Sequence, residues 1–201
     1  MNKFNEALIS CFGRKRFEKI QSVNVGIAGL GGLGSNAAMA LVRSGFRRFV
    51  LCDLDLVEIS NLNRQWYFMD QVGQPKTEAL KANLLRINPE LDLTLIRERV
   101  THLNAAHIFV RCDAIIEAFD KVDSKKMLMR VFWDSDKFYV TASGIAGWGD
   151  ADLLLTRKLK ENIALVGDNS SEISSDLPPC APRVLAAAAK QANALLSWVL
   201  R

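Results

Sequence analysis

Val23-Asn24-Val25-Gly26-Ile27-Ala28, running into Gly29-Leu30-Gly31-Gly32-Leu33-Gly34, is the stretch whose reading decides the fold. The first part is short, apolar and partly β-branched, and Ala37 to Val42 beyond the glycines has helical character, so the segment reads strand, glycine-rich turn, helix. Gly29, Gly31 and Gly34 satisfy G-x-G-x-x-G in the strand-to-helix context that the pattern requires. The physical reading is a phosphate site. Glycines permit a tight turn and close backbone approach, and a helix N-terminus offers unpaired N–H groups and the positive end of its dipole. The next buried strand, Phe49-Val50-Leu51-Cys52, ends at Asp53, where a carboxylate can accept hydrogen bonds from ribose hydroxyls. Both features serve NAD as well as ATP, and a nicotinamide-dependent oxidoreductase remains open at this point.

Outward from this unit, strands continue to alternate with helices. Thr77 to Ile87 is amphipathic and stops at Asn88-Pro89; Leu91 to Val100, Ala114 to Ile116 and Phe138 to Thr141 read as strands; a helix runs through Met127 to Phe132. Asp55 to Asp70 lacks sustained periodicity and is long for a mere connector. Residues 167–179, rich in Asp, Asn, Ser and Pro, read as mobile, and Pro182 to Leu200 as a closing helix. The expectation is an α/β fold: a Rossmann-like three-layer sheet, parallel in its first half, with an antiparallel C-terminal portion. Residues 1–22 read as an N-terminal helical segment, and 23–201 as a single domain.

Composition restricts the function class. With 49% hydrophobic and 24% charged residues, the 201-residue chain is a folding sequence, and none of its apolar runs is long enough to span a membrane. The polar start Met1-Asn2-Lys3-Phe4-Asn5-Glu6 is unlike a signal peptide, so a cytoplasmic protein without a membrane partner is expected. Arg14-Lys15-Arg16 and Arg47-Arg48 are short basic runs in a chain of net charge +4, read as solvated faces, and no nucleic-acid partner is expected from them. Cys11, Cys52, Cys112 and Cys180 stand singly without a Cys-x-x-Cys pair, which argues against a structural zinc. His102 and His107 lie away from every motif and are read as structural.

The segment that separates the nucleotide readings is Asp53-Leu54-Asp55-Leu56-Val57-Glu58-Ile59-Ser60-Asn61-Leu62-Asn63-Arg64-Gln65, followed by Val72-Gly73-Gln74-Pro75-Lys76. It places Arg64 and Lys76 behind the nucleotide strand. Hydride transfer has little use for them, whereas adenylyl transfer releases pyrophosphate, whose growing charge needs cations. From Gly29 to Lys76 the chain closely resembles the ThiF/MoeB/HesA superfamily of ubiquitin-activating-enzyme-like adenylyltransferases, in which D-x-D-x-V-x-x-S-N-L-x-R-Q and G-x-x-K follow the glycine loop. The resemblance implies that Gly29, Gly31, Gly32, Gly34, Asp55 and Ser60 belong to the ATP site. It also implies that Asp53 holds the ribose, that Asn61, Arg64 and Gln65 approach the phosphates, and that Lys76 neutralises them. A D-x-x-D-N pattern of the family corresponds to Glu117-Ala118-Phe119-Asp120-Lys121, with Asp120 at the magnesium position and lysine replacing asparagine. As a residue after a strand, Asp120 also suits a helix N-cap.

The resemblance further implies ATP and magnesium as cofactors, and as partner a small ubiquitin-like β-grasp carrier protein ending in Gly-Gly. The compact length resembles the ThiF branch, which favours a ThiS-like carrier and thiamine biosynthesis; molybdopterin synthesis and tRNA modification are the alternatives within the superfamily. An inactive nucleotide-binding scaffold is a further alternative. In some members a cysteine of the late crossover loop joins covalently to the carrier, and Cys180 falls in that region; an incidental loop thiol is the competing reading. Some longer members donate an N-terminal arginine across a dimer, for which Arg14 and Arg16 are candidates against a solvated basic turn. A homodimer is expected from the resemblance and from the Ala/Leu/Trp-rich final helix.

Overall fold

A computed structural model describes residues 2–201. The paired helices α1 (Lys3–Phe12) and α2 (Arg14–Ser22) lead into β1 (Asn24–Ala28), α3 (Gly32–Arg43) and β2 (Arg48–Cys52). Then come α4 (Lys76–Leu85), β3 (Asp92–Ile96), the short α5 (Ala105–Ile108), β4 (Ala114–Glu117), α6 (Val122–Phe132) and β5 (Phe138–Ala142). The hairpin β6 (Leu155–Lys160) and β7 (Ile163–Gly167) precedes the closing α7 (Ala181–Leu200). The strands form one sheet in the order β3-β2-β1-β4-β5-β7-β6. Every pairing is parallel except β6 with β7. The expected class, parallel first and antiparallel at the end, is therefore what the chain adopts.

Side-chain alternation divides the core. Val25 and Ile27 point with Leu51, Ile116 and Val140 toward α3, α4 and α7, whereas Ala28, Cys52, Ile115 and Tyr139 face Phe109, Leu128 and Phe132 on the α5 and α6 side. Gly26 is required within β1 because a Cβ there would lie 2.5 Å from the ring of Phe109. Phe17 and Ile20 of α2 are buried too, so the leading helical segment packs into the body of the protein.

Several elements differ from the sequence reading. The helix after the glycines starts at Gly32, not near Ala37, because the last glycines of the loop form its first turn; low helix propensity concealed it. β7 enters the sheet between β5 and β6 although no separate strand was expected there. Residues 167–179 are pinned. Asp168 Oδ1 accepts from the Ser170 and Ser171 N–H groups at 2.8 Å, Arg183 Nη2 lies 2.5 Å from Asp168 Oδ2, and Gly147 N donates to Pro178 O at 3.0 Å. The apolar face of α7 is consumed within the chain, where Ala187, Ala188, Leu195 and Val199 are buried and Trp198 stacks on Phe138 at 5.1 Å. No helix among the described residues is long and apolar enough to cross a membrane.

β1 and β4 are neighbours, but the chain leaves β1 toward β2 and β3 before returning to β4. Strand order reverses between them. The connections above these two strands diverge and leave a crevice beyond their carboxyl ends, which is where a parallel α/β sheet places its ligand.

Candidate active site

The glycine loop occupies that crevice. Gly29 adopts φ of 91°, and a Cβ there would stand 2.9 Å from Ala118 O at the end of β4. At Gly34 a Cβ would fall 1.9 Å from Gly29 O, so the two ends of the loop touch through bare backbone. Gly31 differs, with only Gln65 Nε2 within reach, at 3.6 Å. Gly32 opens α3 against Val184 and the stem of Arg64.

Asp53 is tied to this loop. Its Oδ2 accepts from Leu30 N at 2.6 Å and its Oδ1 from Asp55 N at 2.8 Å. Burial raises its pKa above the ordinary carboxylate value, while the N–H groups of Asp55 and Leu30 and the charge of Lys76 act in the opposite direction. Lys76 is buried at the first position of α4, and its Nζ meets Asp55 Oδ2 at 3.0 Å. Tyr67 closes the group from beneath: its hydroxyl donates to Leu30 O at 2.8 Å, and burial raises its pKa well above the usual phenol value.

Arg64 arrives from the long connection between β2 and α4. Its Nη1 donates to Ser60 O at 3.1 Å and Asn63 Oδ1 at 2.7 Å, which shapes the arm and leaves the remaining guanidinium donors for a ligand. Gln65 is buried with Oε1 lacking a hydrogen-bond partner among the described residues. The connection is braced from α3: Asn36 Nδ2 donates to Gly32 O at 2.7 Å and Arg64 O at 2.9 Å, and Ser35 Oγ accepts from Trp66 N at 3.0 Å. From α4, Asn83 Nδ2 donates to Trp66 O at 3.0 Å and to Gln71 Oε1 at 3.0 Å.

Gly29, Gly31, Gly32, Gly34, Asp53, Asp55, Arg64, Gln65 and Lys76 thus share one neighbourhood. Ser60 and Asn61 are engaged within their own 3-10 turn: Ser60 Oγ donates to Glu58 Oε2 at 3.1 Å, and Asn61 Oδ1 accepts from Glu58 N at 3.1 Å. Asp120 is exposed, just beyond the Ala118-Phe119 pair that packs on Gly29, and its carboxylate has no partner among the described residues. The N-cap of α6 is Lys121, with no capping side chain, so Asp120 does not fill the cap role. Cys180 is the N-cap of α7, with Sγ 3.5 Å from Pro178 O, and the adjoining Pro179 O accepts from Asn63 Nδ2 at 3.4 Å. Both histidines are on the surface.

The sequence reading missed the bracing residues Ser35, Asn36, Gln71 and Asn83, and the buried pair Asp168 and Arg183. Small amides and hydroxyls inside helices carry no spacing signal, and ion pairs between distant segments carry none either. The one legible trace was a cluster of polar residues, Ser35-Asn36, where a helix with a buried face called for apolar ones.

Comparison with known proteins agrees with this arrangement. The fold superposes on the tRNA N6-threonylcarbamoyladenosine dehydratase of E. coli in complex with ATP, with a TM-score of 0.88, over 98% of this chain and 94% of that one; at 23% identity the likeness concerns the fold alone. In sequence, the chain is 35% identical to the tRNA threonylcarbamoyladenosine dehydratase of Bacillus subtilis (strain 168) over 69% of its own length and 55% of the relative. It is 31% identical to the sulfur carrier protein ThiS adenylyltransferase of Escherichia coli (strain K12), again over 69% of its length and 55% of the relative. The chain therefore spans about half the length of these curated relatives. Residues 4–177 match the family model described as ThiF family, and with the glycine loop, Asp53, Arg64 and Lys76 gathered in one crevice, the chain belongs to the ThiF family.

Proposed function

We propose that this protein uses ATP to adenylate a carboxylate, and that the carboxylate is the C-terminal glycine of a small ubiquitin-like carrier ending in Gly-Gly. The observation that carries the reading is Lys76: a buried ammonium at a helix N-terminus, paired with Asp55 and close enough to Asp53 to pull its pKa down against burial, with the Tyr67 hydroxyl set between the Lys76 and Leu30 main-chain oxygens. A cation there opposes the helix dipole, and its one carboxylate partner, Asp55, is largely exposed, so a phosphate anion in the crevice would complete its compensation. Residues 23–201 would form the adenylating unit, with the two leading helices docked on it.

In this reading the loop N–H groups and the start of α3 receive the phosphates, and Asp53 orients the ribose. Gln65 Nε2, which faces the loop at Gly31, would donate to a phosphate oxygen. Asp120 fits magnesium: a free carboxylate beside the glycine loop suits a hard cation, and it is the residue that would hold the ion. No group of three or more metal-ligating side chains exists among the described residues, so this chain alone would not cage the ion. Magnesium would supply charge neutralisation on the phosphates. The acceptor carboxylate is already ionised at neutral pH and needs no general base. Its oxygen attacks the α-phosphorus, pyrophosphate leaves, and Arg64 and Lys76 stabilise the negative charge that develops on the departing group. Cys180 follows Pro179, whose main-chain oxygen accepts from Asn63 Nδ2 at 3.4 Å, which makes it the candidate for a later covalent step.

The similarity to threonylcarbamoyladenosine dehydratases supports a second acceptor. A threonylcarbamoyl group presents a free carboxylate, so the same first step would apply to a modified tRNA. ATP–pyrophosphate exchange separates the two. Exchange dependent on a Gly-Gly-ended β-grasp protein supports the carrier, and exchange dependent on threonylcarbamoylated tRNA supports the second acceptor. Exchange that survives both Arg64→Ala and Asp120→Ala would overturn the mechanism.

A further inference from the structure

Glu117 is the most deeply buried acid of the chain, with no solvent exposure, and the mechanism above does not use it. It ends β4, three residues before Asp120. Its Oε1 accepts from Phe119 N at 2.6 Å, and Lys125 Nζ from the first turns of α6 reaches both oxygens, at 3.1 and 3.2 Å. Thr141 Oγ1 of β5 donates to Oε2, and Gln191 Nε2 of α7 donates to the Glu117 main-chain oxygen at 3.0 Å. One carboxylate thereby joins β4, β5 and α6, while its backbone is held by α7. The turn these contacts close is the one that carries Asp120. Ala118 N also donates to Ala28 O at 2.9 Å, but beyond Phe119 the turn has no side-chain bond of its own among the described residues, and α6 starts without a side-chain cap.

We propose that Glu117 and Lys125 are positioning residues: their buried ion pair fixes the turn from β4 to α6 so that the Asp120 carboxylate is presented to the phosphate-bound magnesium. The inference rests on the reading of Asp120 given above. A carboxylate on an unbraced turn would have to be ordered on each binding event, and that cost would appear in the metal-dependent part of ATP affinity and not in the metal-free part. Lys125 also needs Glu117 in return. A carboxylate wholly removed from water requires both a counter-charge and hydrogen bonds, and this one has them from three elements.

The test is ATP binding by calorimetry, in EDTA and in excess magnesium, with folding monitored by circular dichroism. In the unaltered protein magnesium should tighten ATP binding by about tenfold, the scale of one charge-assisted contact. Asp120→Ala should abolish that gain. Lys125→Met should abolish it too, with metal-free affinity unchanged, and Lys125→Arg should restore most of it. Should the unpaired Glu117 unfold Lys125→Met, the double variant Glu117→Gln with Lys125→Met removes both charges together and should show the same loss. If the gain persists in these variants but vanishes in Asp120→Ala, the brace is overturned and the reading of Asp120 stands. If the gain persists in Asp120→Ala, that reading fails and the brace fails with it.

Discussion

Lys76 Nζ lies 3.0 Å from Asp55 Oδ2, and the two side chains differ sharply in exposure, 7% for the lysine and 69% for the aspartate. The buried partner is the one whose charge is costly to hide, and it sits at the first position of a helix, where a cation meets the unfavourable end of the dipole. Two penalties at one residue, offset only by an exposed partner, make Lys76 a position that costs stability, as the proposed phosphate-binding role requires.

Lys76→Met keeps the aliphatic stem and removes the charge. It should leave the melting temperature unchanged or raised, because an exposed partner returns only about 0–1 kcal/mol to the pair. Pyrophosphate exchange should fall by roughly 10²–10³ if Lys76 stabilises the leaving group. A variant that melts several degrees lower and retains full exchange would assign the lysine to the fold instead.

The glycines of the loop should separate into structural and ligand-contacting positions. In Gly34→Ala the new methyl would collide with Gly29 O at 1.9 Å, a backbone atom with no means of yielding, so a loss on the order of 3 kcal/mol or more is expected. Gly31→Ala meets only Gln65 Nε2 at 3.6 Å and should stay within about 1 kcal/mol of the parent while weakening ATP binding. Chemical denaturation of both variants, paired with nucleotide titration of Gly31→Ala, checks the division.

Asn36→Ala removes the two hydrogen bonds that hold Gly32 O and Arg64 O to α3. A destabilisation of about 1–3 kcal/mol is expected from the stranded carbonyls. If the Arg64 arm acts on the leaving group, exchange should drop further than ATP affinity. Equal loss in both quantities would place Asn36 in ground-state binding.

Asp168 supplies a pH signature. Burial raises its pKa, but the N–H groups of Ser171 and Ser170 outweigh that and bring it down from 3.8 to about 2. A depressed folded-state value means that the carboxylate contributes stability above the ordinary pKa, and that this contribution is lost as pH falls from about 4 toward 2. Thermal melts across that window should show a steeper decline for the parent than for Asp168→Asn. Parallel profiles would show that the Asp168 and Arg183 pair does not anchor the loop of residues 168–180.

How far the sequence could be read varied with the kind of contact. β1, β2, β4 and β5 were legible because each is a short apolar run bounded by turn residues, and Asp53 followed from the end of β2. β7 was not, since Ile163 to Gly167 is apolar for a place between β5 and β6 that nothing local specifies. Asp55, Arg64 and Lys76 were named by the resemblance to the family pattern, and the fold brings them together. The same resemblance also named Ser60 and Asn61, whose side chains the fold engages with Glu58.

By itself, the sequence determined the class of sheet and the chemistry available at its carboxyl edge. Periodicity and glycine spacing are local properties, and the motif residues other than Asp120 lie within one stretch from Gly29 to Lys76. Only the tertiary structure decided that Glu117 turns inward to Lys125 and Thr141 while Asp120, three residues on, stays free. It alone pinned the loop after β7 through Arg183 and spent the apolar face of α7 on α3 and β5. Those outcomes depend on partners between 8 and more than 100 residues apart, and burial of a charge is settled by what the folded chain brings to it.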